Sequence, residues 1–354
     1  MKSNVVLLGL IMLGAGCHKN NGTTPPPVIP TNYQQTNLVA DVADYQAGII
    51  DAKLLNAWGI AVNPMGIVWI SANHSGSSTV YDSTGKTLLG PVAISSQGVH
   101  FGGSPTGVVF NATADFVIPS NQKTAKFIFV NEDGTVSAWG GGDSTITVAD
   151  LSSVDAVYKG VALANDGGAN FLYAANFKGG RIDVFDKGFN YVSTKPFADP
   201  NIPTDFGPFN IQNIGGMLYV TYAKLKRPDN EDDQAGAGNG YVDVFNPNGT
   251  LVKRFASQGT LNSPWGLAQA PAGSGLPLHS LLIGNFGDGR INVYDSTGVF
   301  KGQLQSNGQP IVIEGLWALD FPVNEAPMSD AGKLYFTAGP MDENHGLFGS
   351  LKMR

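Results

Sequence analysis

The stretch NFGDGRINVYDSTG, from Asn285 to Gly298, has two counterparts in the same chain: NFKGGRIDVFDKG from Asn176 and NHSGSSTVYDSTG from Asn73. An internal repeat limits the fold more than any local pattern, because each copy must be a unit that packs against the next. Aligned on the apolar–aromatic pair, Val80-Tyr81, Ala138-Trp139, Val184-Phe185, Val244-Phe245, Val293-Tyr294 and Leu347-Phe348 fall into one column, and each pair follows a glycine-containing turn. Upstream of each pair runs an apolar segment such as IVWISA (67–72) or KLYFTA (333–338), and further upstream another, such as WGIAVN (58–63), KGVALA (159–164) or LWALDF (316–321). The six aromatics are spaced by 58, 46, 60, 49 and 54 residues.

Each unit therefore holds three or four short strands in a period near 50 residues. One such sheet cannot bury both faces, whereas six arranged radially about an axis can; the fold expected is an all-β, six-bladed β-propeller over 36–354. The third-strand aromatics are expected to pack between blades, where rings bury large areas. The last unit supplies only three strands. The run TNLVADVA (36–43) is the one strand-like segment before the first unit, and it is expected to close the ring as the outer strand of the last blade.

The unit WGIAVNPMGIVWISANHSGSSTVYDSTGKTL resembles the NHL-type repeat of six-bladed propellers. Over Thr36 to Arg354 the ordered set LLNAWGIAVNP, FIFVNEDGTVSAW, FLYAANFKGGRIDVFD, SPWGLAQAP and LYFTAGPMDENHGLFG is similar to a family of uncharacterised secreted bacterial propellers, many of them with PEP-CTERM sorting tails. The resemblance implies fold and export and leaves function open. It departs at the C-terminus, where no such tail follows Phe348.

The N-terminus carries its own signals. Lys2, the apolar run Val5 to Leu13 and the small residues Gly14-Ala15-Gly16 before Cys17 make a secretory signal, too short to span a bilayer as a mature helix. Its end resembles a bacterial lipobox, with Gly14 where leucine is usual, so 1–17 is read as a lipoprotein signal and Cys17, the only cysteine, as its lipidation site. Residues 18–35 are polar and proline-rich and read as a tether. The expectation is an exported monomer, lipid-anchored on the periplasmic or cell-surface side of a bacterial membrane. With a net charge of −7 and no basic cluster beyond Lys224, Lys226 and Arg227, nucleic acid is not an expected partner.

In a propeller the loops joining strands two and three share a face with the blade-to-blade loops, and function usually sits on such loops. That face is expected to carry Asn73-His74, Asn131-Glu132-Asp133, Asn176, the insertion 223–240, Asn285, Asp288, and the run from Asp342 to His345. His74, Asp288, Asp342 and His345 are its candidate binding residues, while the recurring asparagines equally suit turn capping. Within the insertion, Asp229, Glu231, Asp232 and Asp233 concentrate oxygen ligands suited to calcium; the alternative is a solvated acidic loop paired with Lys224, Lys226 and Arg227. The loop is no EF-hand, because Gln234 stands where the turn glycine is needed.

A third set, Asn56, Asn210, Asn262 and Glu314, enters the channel mouth from blades one, four, five and six, with Asp205 nearby. Lactonases of the gluconolactonase type are similar in placing a calcium set there, in which the metal polarises a carbonyl. No nucleophile elbow, phosphate loop or HExxH pattern occurs. The sequence thus favours a binding scaffold, for an unnamed ligand or protein on the loop face, over an enzyme. A calcium-dependent hydrolase is the alternative.

Overall fold

The computed structural model describes residues 32–322, 330 and 332–354, together with Met1 and Ile29. Cys17, the signal and most of the tether lie outside the described residues.

Six antiparallel sheets form six blades. The strands of blade one are Ala57–Val62, Val68–Ala72, Ser77–Tyr81 and Thr87–Ala93; those of blade two are Pro105–Phe110, Phe127–Asn131, Thr135–Trp139 and Ile146–Asp150. Blade three has Tyr158–Asp166, Ala169–Asn176 and Arg181–Phe185, with an isolated bridge from Phe185 to Tyr191 in place of a fourth strand. Blade four has Phe206–Ile214, Met217–Lys224, Gly240–Phe245 and Leu251–Ser257, and blade five Pro264–Gln269, Leu281–Asn285, Ile291–Tyr294 and Phe300–Gln303. Blade six has Leu316–Asp320, Leu334–Ala338 and Leu347–Met353. Each inner strand packs against the next, and the sixth returns to the first.

The outermost long strand of blade six is N-terminal: Tyr33–Ala40 runs antiparallel to Leu347–Met353, from Tyr33 opposite Met353 to Ala40 opposite Leu347, with a register shift between Asn37 and Val39. This strand begins at Tyr33 and not at Thr36, so residues 33–35 belong to the propeller and not to the tether. The reason is packing, since Tyr33 is fully buried and its hydroxyl donates to the carbonyl of Ser274 at 2.6 Å.

The inner strands open on a shared motif: Trp58-Gly59, Thr106-Gly107, Lys159-Gly160, Phe209-Asn210, Trp265-Gly266 and Trp317-Ala318. The pairing register slips at this point in all six blades. The glycine serves the approach of one blade to the next, because a Cβ on Gly59 would lie 2.3 Å from the Thr106 carbonyl oxygen. Five of the third-strand aromatics, Tyr81, Phe185, Phe245, Tyr294 and Phe348, are buried as expected, and the Tyr81 and Phe348 rings meet at 5.9 Å between blades one and six. Trp139 differs: it is half-buried, and its indole donates to the Gly142 carbonyl at the blade edge.

Candidate functional site

The first residues of the inner strands converge at the axis on the loop face. Trp58 and Trp317 stack at 3.6 Å, Phe286 stacks on the other side of Trp317 at 3.9 Å, and Phe209 and Trp265 close the layer. Among the six equivalent positions one is charged. Lys159 is 2% exposed, with its ammonium over the Trp58 ring at 5.1 Å and its backbone carbonyl accepting from the Trp265 indole at 3.1 Å.

A buried ammonium needs a partner. Lys159 Nζ donates to Glu132 Oε1 at 2.5 Å, from the loop between strands two and three of blade two, and lies 3.8 Å from Asp232 of the blade-four insertion. Burial disfavours its charge, but the carboxylates of Glu132, Asp232 and Glu343 together outweigh burial and hold the lysine above its ordinary pKa. Glu132 is held below its ordinary pKa although burial opposes it, chiefly by Lys159 and also by Asn73, whose amide donates to Oε2 at 3.0 Å.

A third carboxylate faces this pair. Glu343 ends a run in which Met341, Asp342 and Glu343 all have left-handed backbone, with φ of 55°, 53° and 66°. Three consecutive non-glycine residues in that region are strained, and the surroundings must hold them there. Glu314 Oε1 accepts from the Met341 amide at 3.1 Å, the Asn344 amide returns to the Met341 carbonyl, and His345 Nδ1 pairs with buried Asp41 at 2.7 Å. The Glu343 carboxylate accepts from Asn56 Nδ2 at 2.6 Å, and Asn56 Oδ1 accepts from the Trp317 indole at 3.0 Å. Burial, with the fields of Glu132 and Asp232, pushes Glu343 up to about 7 against the pull of Asn56 and Lys159. One lysine thus lies in the field of three carboxylates, bonded to Glu132, near Asp232 and unpaired with Glu343.

The residues singled out from sequence divide into three groups. Asn56 belongs to the axial site itself. Asp288, Glu314 and Asp342 line one hollow between blades five and six, beside the half-buried face of Phe286. His74 is exposed beside Glu132, and His345 is part of the support for the Glu343 turn, so the two histidines do not meet.

The four acidic residues of the insertion do not converge. Glu231 pairs with Lys178 at 2.8 Å, Asp232 reaches Lys159, Asp233 is pushed up by burial, and Asp229 is exposed. The pairing partners are therefore blade-three lysines and not Lys226 or Arg227, while Lys224 pairs with Asp205 at 3.7 Å. The recurring asparagines at 73, 131, 176 and 285 are all buried; Asn176 and Asn285 brace their own turns through Gly179 and Asp288.

The proposed channel-mouth set is also separated. Asn210 donates to the Trp265 carbonyl at 2.8 Å and accepts from the Ile211 amide, one layer below the mouth. Asn262 accepts from the Gly236 amide at 2.7 Å and so ties down the insertion. Glu132 and Glu343 fall within the segments expected on the loop face but were not among its candidate binding residues, and Lys159 was not singled out. One signal pointed to this lysine, a charge in a column otherwise of aromatics and threonine.

No model of a known protein family matches the chain. "Uncharacterized protein R648" of Acanthamoeba polyphaga mimivirus is 38% identical over 322 residues, 86% of this chain and 77% of the relative; "Uncharacterized protein L690" of the same virus is 37% identical over 317 residues, 85% and 81%. The chain belongs to this family. The family's matched members are viral, so they do not tie it to the PEP-CTERM-associated bacterial propellers of the sequence reading. Among solved structures, virginiamycin B lyase from Staphylococcus aureus superposes with a TM-score of 0.52 at 12% identity over 91% of this chain and 99% of its own. A Bacteroides thetaiotaomicron protein of unknown function gives 0.55 at 11% identity over 91% and 73%. At these identities the likeness is one of fold.

Proposed function

We propose that the protein is a binding module that captures a basic partner, a peptide or protein segment presenting lysine or arginine side chains, at the axis of its loop face. The observation that carries this reading is the charge imbalance there. Three carboxylates, Glu132, Asp232 and Glu343, stand about one buried ammonium, that of Lys159, and burial together with the other two carboxylates pushes Glu343 up to about 7. A guanidinium or ammonium arriving beside Glu343 replaces its proton. The hollow with Asp288, Glu314 and Asp342 around Phe286 offers a second cation an aromatic face with carboxylates about it. The lipid anchor at Cys17 would hold the module at a membrane surface with this face free.

The alternative of calcium-dependent hydrolysis would draw on Asn56, Asn210, Asn262 and Glu314. The amides of the first three are already engaged by protein groups, which favours binding. The test is titration calorimetry with hexa-arginine, with and without calcium. Saturable binding that weakens with salt and is lost in Glu343→Gln and Asp232→Asn supports the reading. Binding indifferent to both substitutions, or turnover of lactones in the presence of calcium, overturns it.

A further inference from the structure

Beneath the aromatic layer a separate cavity of about 310 Å³ runs along the axis, and residues of all six inner strands line it. Each inner strand leads away from the loop face, so Trp58, Trp265 and Trp317 stand over the near end of this cavity, and Val62, Phe110, Leu163 and Asp320 surround the far end. We propose that this axial cavity is a binding site for a small organic ammonium ion, which enters at the far end and pairs with Asp320.

The walls decide the class of ligand. Glycine backbone and aliphatic side chains alternate there with the polar side chains of Asn210, Gln212 and Asn213, and Asp320 is the one charged side chain; no lysine, arginine or histidine lines the cavity. Among the described residues the Asp320 carboxylate has no hydrogen bond and no ion pair. The amides of Asn210 and Asn213 are engaged, the latter with the Leu163 carbonyl and the Gly216 amide. Burial alone pushes Asp320 up to about 7. Its register partner Tyr335 is the titratable group on the adjoining strand, and Tyr335 in turn feels Asp330; the neighbouring inner strands Ala57–Val62 and Pro264–Gln269 carry none.

A half-buried carboxylate facing a cavity that holds no counter-charge favours a ligand that brings one positive charge, with a short carbon chain to lie along the aliphatic walls. Phe110 adds a ring at the same end. A divalent ion is a poor match, since calcium takes about six to eight oxygens and this cavity offers a single carboxylate.

The experiment is titration calorimetry of the whole protein with n-butylammonium, with n-butanol as the neutral probe of the same shape. The expected result is saturable binding of one equivalent, with proton release near pH 6 that vanishes above pH 8. Affinity should be at least about tenfold weaker for n-butanol and for Asp320→Asn. Because n-butanol is tested on the wild-type protein, that comparison stands even where the variant folds poorly. Glu343→Gln, on the loop face, should leave n-butylammonium binding intact, which separates this site from the one above. Equal binding of alcohol and amine, equal binding by Asp320→Asn, or no saturable heat at millimolar ligand would overturn the proposal.

Discussion

The Lys159 ammonium lies 2.5 Å from Glu132 Oε1, joining blade three to blade two at the propeller axis. The lysine is sealed from water, while the glutamate side chain is 30% exposed. Removing the lysine leaves a carboxylate with part of its hydration restored and part not. Lys159→Met should therefore destabilise by about 2–3 kcal/mol, below the 3–5 of a fully buried pair. Glu132→Gln in the same background should recover part of that loss. Urea unfolding of the four species gives the coupling directly, and additivity would mean the pair is not linked.

Glu343 makes stability depend on pH with a definite sign. Its folded value of about 7 lies above the ordinary 4.5, so the native state holds its proton longer than the unfolded chain does. The wild type should lose stability relative to Glu343→Gln as pH rises from 4.5 to about 7, and then level off. The difference should be on the order of 1–3 kcal/mol. Parallel melting curves for the two proteins from pH 4 to pH 8 would show that Glu343 ionises normally.

The blades were legible because their signals are local. Alternating apolar residues, turn glycines and one aromatic column recur within each unit, and none of them needs knowledge of the neighbour. The axial site was legible only in part: Asn56 was placed at the channel mouth and Glu132 on the loop face, but their pairing with Lys159 and Glu343 was not, because these residues meet only when blades are arranged about a common axis. Lys159 and Glu132 are 27 residues apart, and Asn56 and Glu343 are 287 apart. Asp320 closes the apolar run LWALD, where it reads as the end of a strand. The acidic insertion was legible as a lysine-paired loop but not its partners: its residues are adjacent in sequence but diverge in space toward Lys178 and Lys159.

Close approach at the axis should make Gly59 intolerant of any side chain. The Cβ of Gly59→Ala would press on backbone, 2.3 Å from the Thr106 oxygen and 3.0 Å from the Val108 nitrogen. A loss of about 1–3 kcal/mol is expected, as for other overpacked sites. Gly90→Ala is the control, since nothing lies within 4 Å of its Cβ. Equal thermal shifts for the two variants would contradict blade contact through the glycine column.

The N-terminal strand should be indispensable from Tyr33 onward. A chain beginning at Tyr33 keeps the whole pairing with Leu347–Met353, whereas one beginning at Asp41 loses it together with buried Tyr33, Val39 and Ala40. Each ladder hydrogen bond contributes about 0.5–1.5 kcal/mol net, so the shorter chain should be poorly soluble or melt far lower. Tyr33→Phe removes only the bond to the Ser274 carbonyl and should cost about 1 kcal/mol. Similar melting of the two truncated chains would mean that the outer strand adds little to blade six.

Capture of a basic partner on the loop face is tested most directly by hydrogen–deuterium exchange with and without hexa-arginine. Slower exchange is expected in 131–134, 229–240 and 339–346, the segments that carry Glu132, Asp232 and Glu343, with no change in the opposite-face turns 63–66 and 82–86. Protection confined to the opposite face, or none at saturating peptide, would contradict it.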